Sequence, residues 1–240
     1  MFTRDTLGWL HPDDGDPRVV VVPAHSSRMG TFFSAPSPRA PVFHTTDTAT
    51  PAALAAKHWT GDPLPGLAAS AHVIVGRDGV IYQSVPLNRI AWHARGKGIV
   101  AGREVPSVNS CTIGIELENI GGLRRIPDAQ QRPAFYGWPY WRRDASGNPR
   151  QSLGPDPLLR LDDARGAQAR LVGGQWCDGF TVEQIGAATA LLLSLARMFG
   201  WRREWCGKGH VDYEPARKSD PWPAFIVNYL PQILDLAFAH

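Results

Sequence analysis

The chain has 240 residues, 43% hydrophobic and 20% charged, which supports an ordinary soluble globular fold and excludes disorder and collagen-like repeats. Twenty-five Lys and Arg against 22 Asp and Glu leave a formal charge of +3, compatible with an anionic polymer or wall but too small to argue for nucleic acid. Cys111, Cys177 and Cys206 fall in no CxxC spacing, so reduced thiols are expected rather than a disulfide framework or a cysteine-rich zinc knuckle.

Residues 1–16 mix Asp5, Asp13, Asp14 and Asp16 with few apolar positions and lack the basic-then-apolar pattern of a signal peptide, so synthesis in the cytoplasm is expected. Residues 19–22, four valines, read as a buried strand, and the Ser, Pro and Gly of the stretch up to Pro41 predict a loop or arm without helix. A short strand at 41–44 precedes a helix over about 51–59, with Thr50 as its cap and Pro51 at the first helical position. Residues 72–75 and 80–84 form the clearest hairpin, because Asp78-Gly79 between them supplies the positive φ of a tight turn. Residues 112–118 alternate: Ile113, Ile115 and Leu117 face a core, while Thr112, Gly114, Glu116 and Glu118 share the other face.

From 121 to 179 the pattern dissolves into Pro, Gly, Arg and aromatic residues, and a loop of that length implies partly ordered structure, with a short helix near 157–172. The aromatic run 135–141, followed by Arg142 and Arg143, reads either as a groove wall or as packing over the core. Thr181 and Gln184 form a capping box that opens an amphipathic helix to about Phe199, and a last helix covers 223–238, bent or broken near Pro231. The apolar stretch 185–198 is interrupted by Arg197 and falls short of the roughly 20 residues a spanning helix needs, so no membrane insertion is expected.

Residues 209–221, GHVDYEPARKSDP, carry the densest chemistry. A histidine and an aspartate ten residues apart, in a stretch that proline keeps from being one straight helix, let the chain fold back and aim both side chains at one point. That suits a metal. Lys218 and Asp220 share a face if the backbone is extended, placing an ammonium beside that carboxylate.

Together with 42–46 (VFHTT), 70–75 (SAHVIV), 77–83 (RDGVIYQ), 91–94 (AWHA) and 109–118 (NSCTIGIELE), this stretch resembles the zinc-dependent N-acetylmuramoyl-L-alanine amidases of the type-2 amidase and peptidoglycan-recognition-protein family. The resemblance implies an α/β fold: a central mixed β-sheet flanked by helices, with a zinc site in a groove at the sheet edge and the 121–179 insertion bordering it. It implies residues 1–40 as an N-terminal arm or extension and 41–240 as the amidase domain. His44, His210 and Asp220 would be the zinc ligands, leaving a fourth position for water, the arrangement of a catalytic site. Glu116 would be the general base and Lys218 the stabiliser of the oxyanion; periodicity alone does not choose between Glu116 and Glu118. Some relatives carry a tyrosine where Ala71 stands, which shifts the load to Glu116.

Trp92 and His93 match a substrate-contacting segment of the family, Asn109 either donates to substrate or caps a loop, and His72 reads as structural. The implied reaction is hydrolysis of the amide between N-acetylmuramic acid and L-alanine, with peptidoglycan or muropeptides as partner, no nucleic acid, and a monomer containing one zinc. The expected setting is a phage or prophage endolysin that reaches the wall after release. The alternatives are a cytoplasmic amidase recycling anhydro-muropeptides and a non-catalytic peptidoglycan-recognition module.

Overall fold

The computed structural model describes all residues except 14–16, 35–37, 48–49, 64–67, 128–132, 138–141, 144–148, 151–158, 161–167 and 240. The strands are β1 (Phe2–Arg4), β2 (Leu10–Pro12), β3 (Val19–Val21), β4 (Met29–Phe32), β5 (Ala40–Thr45), β6 (Val73–Val75), β7 (Ile81–Gln83), β8 (Arg89–Ala91), β9 (Gly98–Val100), β10 (Arg103–Val105) and β11 (Thr112–Leu117). The central sheet runs β3-β7-β6-β11-β5 and is mixed: β6 and β7 pair antiparallel, whereas β5, β11 and β6 run parallel. Its hairpin turns where the sequence places it, with Gly79 at φ 77°, a conformation that glycine adopts without steric cost.

Strand β11 sits second from one edge, between β5 and β6, and its alternation is as predicted. Ile113, Ile115 and Leu117 are fully buried on one face, packed with Phe43, Val73, Val75 and Ile81. That face is covered by α2 (Val182–Phe199) and α3 (Leu230–Ala237), and Leu191, Leu192, Leu195 and Ile233 complete the core. By length and hydropathy α2 could cross a membrane; Ala187, Ala188, Leu191, Leu192 and Leu195 are instead buried in this core, which makes it a core helix. The hydroxyl of Thr181 accepts from Gln184 N–H as a cap should, but the Gln184 amide donates to the carbonyls of Val75 and Glu118, tying the helix start to the sheet rather than closing the box.

Several local readings are corrected. Strand β3 is only half-buried, because it pairs on one side alone, with β7 at the sheet edge. The stretch before Pro41 contains β4, which pairs with β8. Helix α1 (Ala52–His58) has Pro51 as its N-cap, and a carboxylate from the end of β11 takes the place of a local cap: Glu118 accepts from Ala52 N–H at 3.0 Å. The last helix changes character upstream of Pro231, where Phe225–Tyr229 form a π-helical turn. Proline has no N–H for the carbonyl four residues back, and the widened turn accommodates that loss.

In the insertion, β12 (Gly122–Pro127), β13 (Pro133–Gly137), β14 (Arg142–Arg143), β15 (Pro149–Arg150), β16 (Leu159–Arg160), β17 (Arg170–Val172) and β18 (Gln175–Cys177) include a second, antiparallel sheet ordered β16-β13-β12-β18-β17. The ends of the expected 157–172 helix are therefore strands; its middle, and the side chains of 135–141, lie outside the described residues. The first forty residues add a β1-β2 hairpin, whose Phe2 and Leu10 join the main core, and strand β3.

Candidate metal centre

Three segments meet at the end of the sheet. His44 lies near the C-terminal end of β5, and Gly209 makes a single parallel bridge to Phe43, while Phe43 N–H donates to Lys208 O, so the strand edge itself delivers His210. The loop from His210 to Asp220 folds back as predicted. Val211 N–H donates to Asp220 O at 2.8 Å, and the Asp212 carboxylate accepts from Gly209 N–H at 2.8 Å.

This brings His44, His210 and Asp220, all buried, around one point. Nδ1 of His44 lies 3.1 Å from Nδ1 of His210, and each lies 3.2 Å from Oδ2 of Asp220. Tetrahedral zinc with ligands at about 2.0–2.1 Å has ligand-to-ligand edges of about 3.3 Å, so the triangle has the size of one face of such a site. Burial pushes the His44 imidazole down to about 4, so it is neutral at pH 7. Burial alone would raise the Asp220 carboxyl, but the His210 and His44 rings 3.2 Å from it hold it below the usual carboxylate range. Neutral imidazole and ionised carboxylate are the forms that bind metal. Two imidazole nitrogens and a carboxylate oxygen at this spacing fit zinc.

Glu116 is the Cα partner of His44 in the parallel ladder between β11 and β5, so both side chains leave the sheet on the same face. Its Oε2 is buried with no hydrogen-bond partner among the described residues. Burial, reinforced by the negative charges of Asp220 and Asp47, pushes its carboxyl well above the ordinary value, while Lys218 works against this. A raised carboxyl facing the triangle is suited to take up and give back a proton. Glu118, two residues on, is a structural acceptor: its Oε2 accepts from Ala52 N–H and, at 3.3 Å, from Arg77 N–H, joining α1 and the β6-β7 turn region to β11. What packs against each carboxylate sets the two apart: main-chain N–H groups engage Glu118, and none engages Glu116 Oε2 among the described residues. Lys218 Nζ lies 3.6 Å from Asp220 Oδ1 and is partly exposed, a positive charge at the rim of the triangle.

Of the residues expected to touch substrate, Trp92 is exposed to 38% and stands free enough to do so. His93 is buried with both ring nitrogens engaged inside the protein: Nδ1 lies 3.0 Å from His44 Nε2, and Nε2 lies 3.2 Å from Thr112 Oγ1. Asn109 is buried too, its Oδ1 accepting from the N–H groups of His93 and Ala94 at 3.1 and 2.7 Å. His72 is structural, as expected, since Nδ1 accepts from Gly114 N–H and Nε2 donates to Arg89 O. Glycine at 114 is a spatial requirement: a Cβ on it would sit 2.5 Å from His93 Cγ.

Sequence reasoning missed four contributors. Asp47, three residues past His44, accepts from the Thr45 hydroxyl and from the Trp222 indole at 2.8 and 2.7 Å, and desolvation by its neighbours raises its carboxyl to about 6. Trp222 also lies against Gly121 and Gly122, which ties the root of the insertion to Asp47. Glu214 places Oε2 3.6 Å from the otherwise unpartnered Nε2 of His210 and is anchored by Arg95 N–H and by Arg217. Thr112 is visible in the sequence only as a polar position on the Glu116 face; the histidine beneath it comes from another strand end.

The mixed sheet thus presents two histidines and an aspartate around one point, with Glu116, whose Oε2 has no partner among the described residues, on the adjacent strand. A family model described as N-acetylmuramoyl-L-alanine amidase matches residues 34–136. His210 and Asp220 lie beyond the matched segment and join it through the fold. The 1,6-anhydro-N-acetylmuramyl-L-alanine amidase AmpD of Citrobacter freundii is 37% identical over 119 residues, which are 50% of this chain and 57% of AmpD, so the match spans little more than half of that relative. Among solved structures, a selenomethionine derivative of AmpD aligns over 96% of this chain and 98% of its own with 22% identity and a TM-score of 0.50. The N-acetylmuramyl-L-alanine amidase AmiD from E. coli, solved with anhydro-N-acetylmuramic acid-L-Ala-D-γ-Glu-L-Lys, aligns over 83% of this chain and 58% of its own, with 22% identity and a TM-score of 0.50. These likenesses establish the shared fold.

Proposed function

We propose that the protein is a zinc-dependent hydrolase of the amide between N-acetylmuramic acid and the L-alanine of the stem peptide. The observation that carries this reading is the 3.1–3.2 Å triangle of His44, His210 and Asp220 with Glu116 opposite His44 on the adjacent strand. Zinc held by those three side chains would polarise the scissile carbonyl and lower the pKa of water to about 7. Glu116 takes the proton of the attacking water and returns it to the departing alanine nitrogen, so the C–N bond breaks as an amine rather than an amide anion leaves. Its raised carboxyl suits both halves of that exchange. Lys218 offsets the charge that builds on the carbonyl oxygen. Trp92, next to His93 in the chain and exposed, offers a flat apolar surface for a sugar face or stem peptide.

The filled ligand triangle and the isolated Glu116 weigh against a recognition module that binds without cutting. The setting we propose first is wall lysis by an endolysin, acting after release from the cytoplasm. The similarity to AmpD favours a second, cleavage of soluble anhydro-muropeptides. Zinc per chain, followed by incubation of wild type and Glu116→Ala with intact sacculi and with soluble anhydro-muropeptides, tests both. New L-alanine amino termini from wild type alone support the amidase, and the preferred substrate separates the two settings. Metal-free protein that binds without producing new ends refutes it, as do reducing sugar ends.

A further inference from the structure

We infer that Val108, Thr112 and His93 form a relay that holds the proton of His44 on Nε2 and thereby presents its Nδ1 lone pair to the metal; His93 and Thr112 are positioning residues. The inference deepens the zinc reading above and rests on it.

The relay is anchored at the one group whose role is unambiguous. The carbonyl of Val108 can only accept, and the Thr112 hydroxyl lies 2.7 Å from it, so the hydroxyl proton is committed there. Thr112 Oγ1 then has only lone pairs to offer the ring nitrogen 3.2 Å away, and His93 Nε2 must be the donor. An imidazole with its hydrogen on Nε2 carries a lone pair on Nδ1, and that atom faces His44 Nε2 at 3.0 Å. His44 must donate in turn, which leaves Nδ1 bare, 3.1 and 3.2 Å from the other two ligand atoms.

The rest of the neighbourhood holds His93 in this pose. Its ring meets that of His44 edge-on, at 90° with centroids 5.2 Å apart. The backbone at 93–94 is pinned by Asn109, and Gly114 leaves the space that the ring occupies. Metal-ligating histidines are commonly oriented by an acceptor on the opposite ring nitrogen, and losing such a partner typically costs 10–100-fold in affinity. Here the acceptor is a second histidine, whose own tautomer is set by a threonine and ultimately by a backbone carbonyl.

The test uses Thr112→Val, a near-isosteric loss of the hydroxyl, and His93→Phe, with Thr112→Ser, which keeps the hydroxyl, and His93→Asn, whose Oδ1 keeps an acceptor for His44 Nε2. Zinc affinity is measured by competition with a chromophoric chelator. The His44 tautomer is read from long-range ¹H–¹⁵N correlations of the metal-free protein. We expect wild-type His44 in the Nε2–H form, a 10–100-fold loss of zinc affinity in the valine and phenylalanine variants, and recovery to within about threefold in the serine and asparagine variants. An Nδ1–H tautomer in wild type overturns the relay. So does affinity within twofold of wild type in both Thr112→Val and His93→Phe, or an equal loss in all four variants, which would assign these residues to packing alone. If His93→Phe does not fold, Thr112→Val decides. If wild type takes up no zinc, the functional proposal fails by itself, and the tautomer measurement still decides the relay.

Discussion

Glu116 and Glu118 stand two residues apart on one strand face, and exchanging their fates is the sharpest check on the site. Glu118→Ala removes a buried acceptor from Ala52 N–H at 3.0 Å and Arg77 N–H at 3.3 Å. Hydrogen bonds to a charged group contribute about 1.5–3 kcal/mol each, and the longer bond falls at the low end or below, so the loss should be about 3 kcal/mol. For a chain of this size that corresponds to a fall in Tm of about 6–12 °C, with activity retained at temperatures where the variant is folded. Glu116→Gln should do the opposite, reducing kcat by about 10²–10⁴ without lowering Tm. Its stability effect has a definite sign. The Glu116 carboxyl is raised in the folded protein, so its contribution is complete below the ordinary carboxylate pKa and is lost as pH rises through the folded value. In chelated protein, the Tm of Glu116→Gln should therefore gain on wild type as pH increases from 4 to 8. Thermal unfolding by circular dichroism across that range, paired with an assay for released alanine amino termini, measures both quantities. Loss of activity at unchanged Tm in Glu118→Ala, together with a destabilised Glu116→Gln that still turns over, would refute the assignment.

Asp47 offers a second pH test: its carboxyl is raised to about 6 by desolvation and by Asp220, so metal-free wild type should lose stability as pH climbs from about 4 through 6. Because the residue also reaches solvent, which screens its charge, the loss should be about 1 kcal/mol. Asp47→Asn keeps an oxygen for Thr45 and Trp222 and should flatten that decline in denaturant titrations at each pH. Saturating zinc at about 100 times Kd should stabilise the protein by about 2.7 kcal/mol, a rise in Tm that chelator reverses and that Asp220→Ala abolishes. Lys218→Ala should lower kcat by about 10²–10³ with little change in KM, as loss of a group that acts only on developing charge requires. Gly114→Ala should weaken zinc binding although residue 114 touches no ligand atom, because the added methyl would displace the His93 ring; equilibrium competition with a chelator reads this directly.

Much of this fold was legible because its signals are local. The Asp78-Gly79 turn, the alternation of 112–118 and the cap of Thr181 each depend on a few neighbouring residues, and all three are found in the structure. What escaped was set by long-range packing. Nothing near Glu118 announces that a helix start 66 residues away will occupy its carboxylate. His93 lies in a segment that resembles a substrate contact, yet its partners come from β5 and β11, and only the assembled sheet turns it inward. Strand β3 has the composition of a central strand and lies at an edge, since valine content reports affinity for a pleated surface and not the number of neighbours. The insertion has no dominant period, and its pairing joins β12 to β18 across more than fifty residues.

The pairing of Glu116 with His44 across the β5-β11 ladder ties the reactive geometry to main-chain spacing. Neighbouring parallel strands lie about 4.8 Å apart whatever side chains they carry, so the gap between Glu116 and His44 is inherited from the polypeptide backbone. Mutational drift in the insertion or on the outer helix faces can reshape which molecules are admitted while the reacting groups keep their separation. A slip of one residue along that ladder would put Ile115 or Leu117 opposite His44 and send the acid to the hydrophobic side, so intermediates between working registers are closed to evolution. Diversification in this protein is thereby channelled into its borders, with the centre held as an invariant ruler.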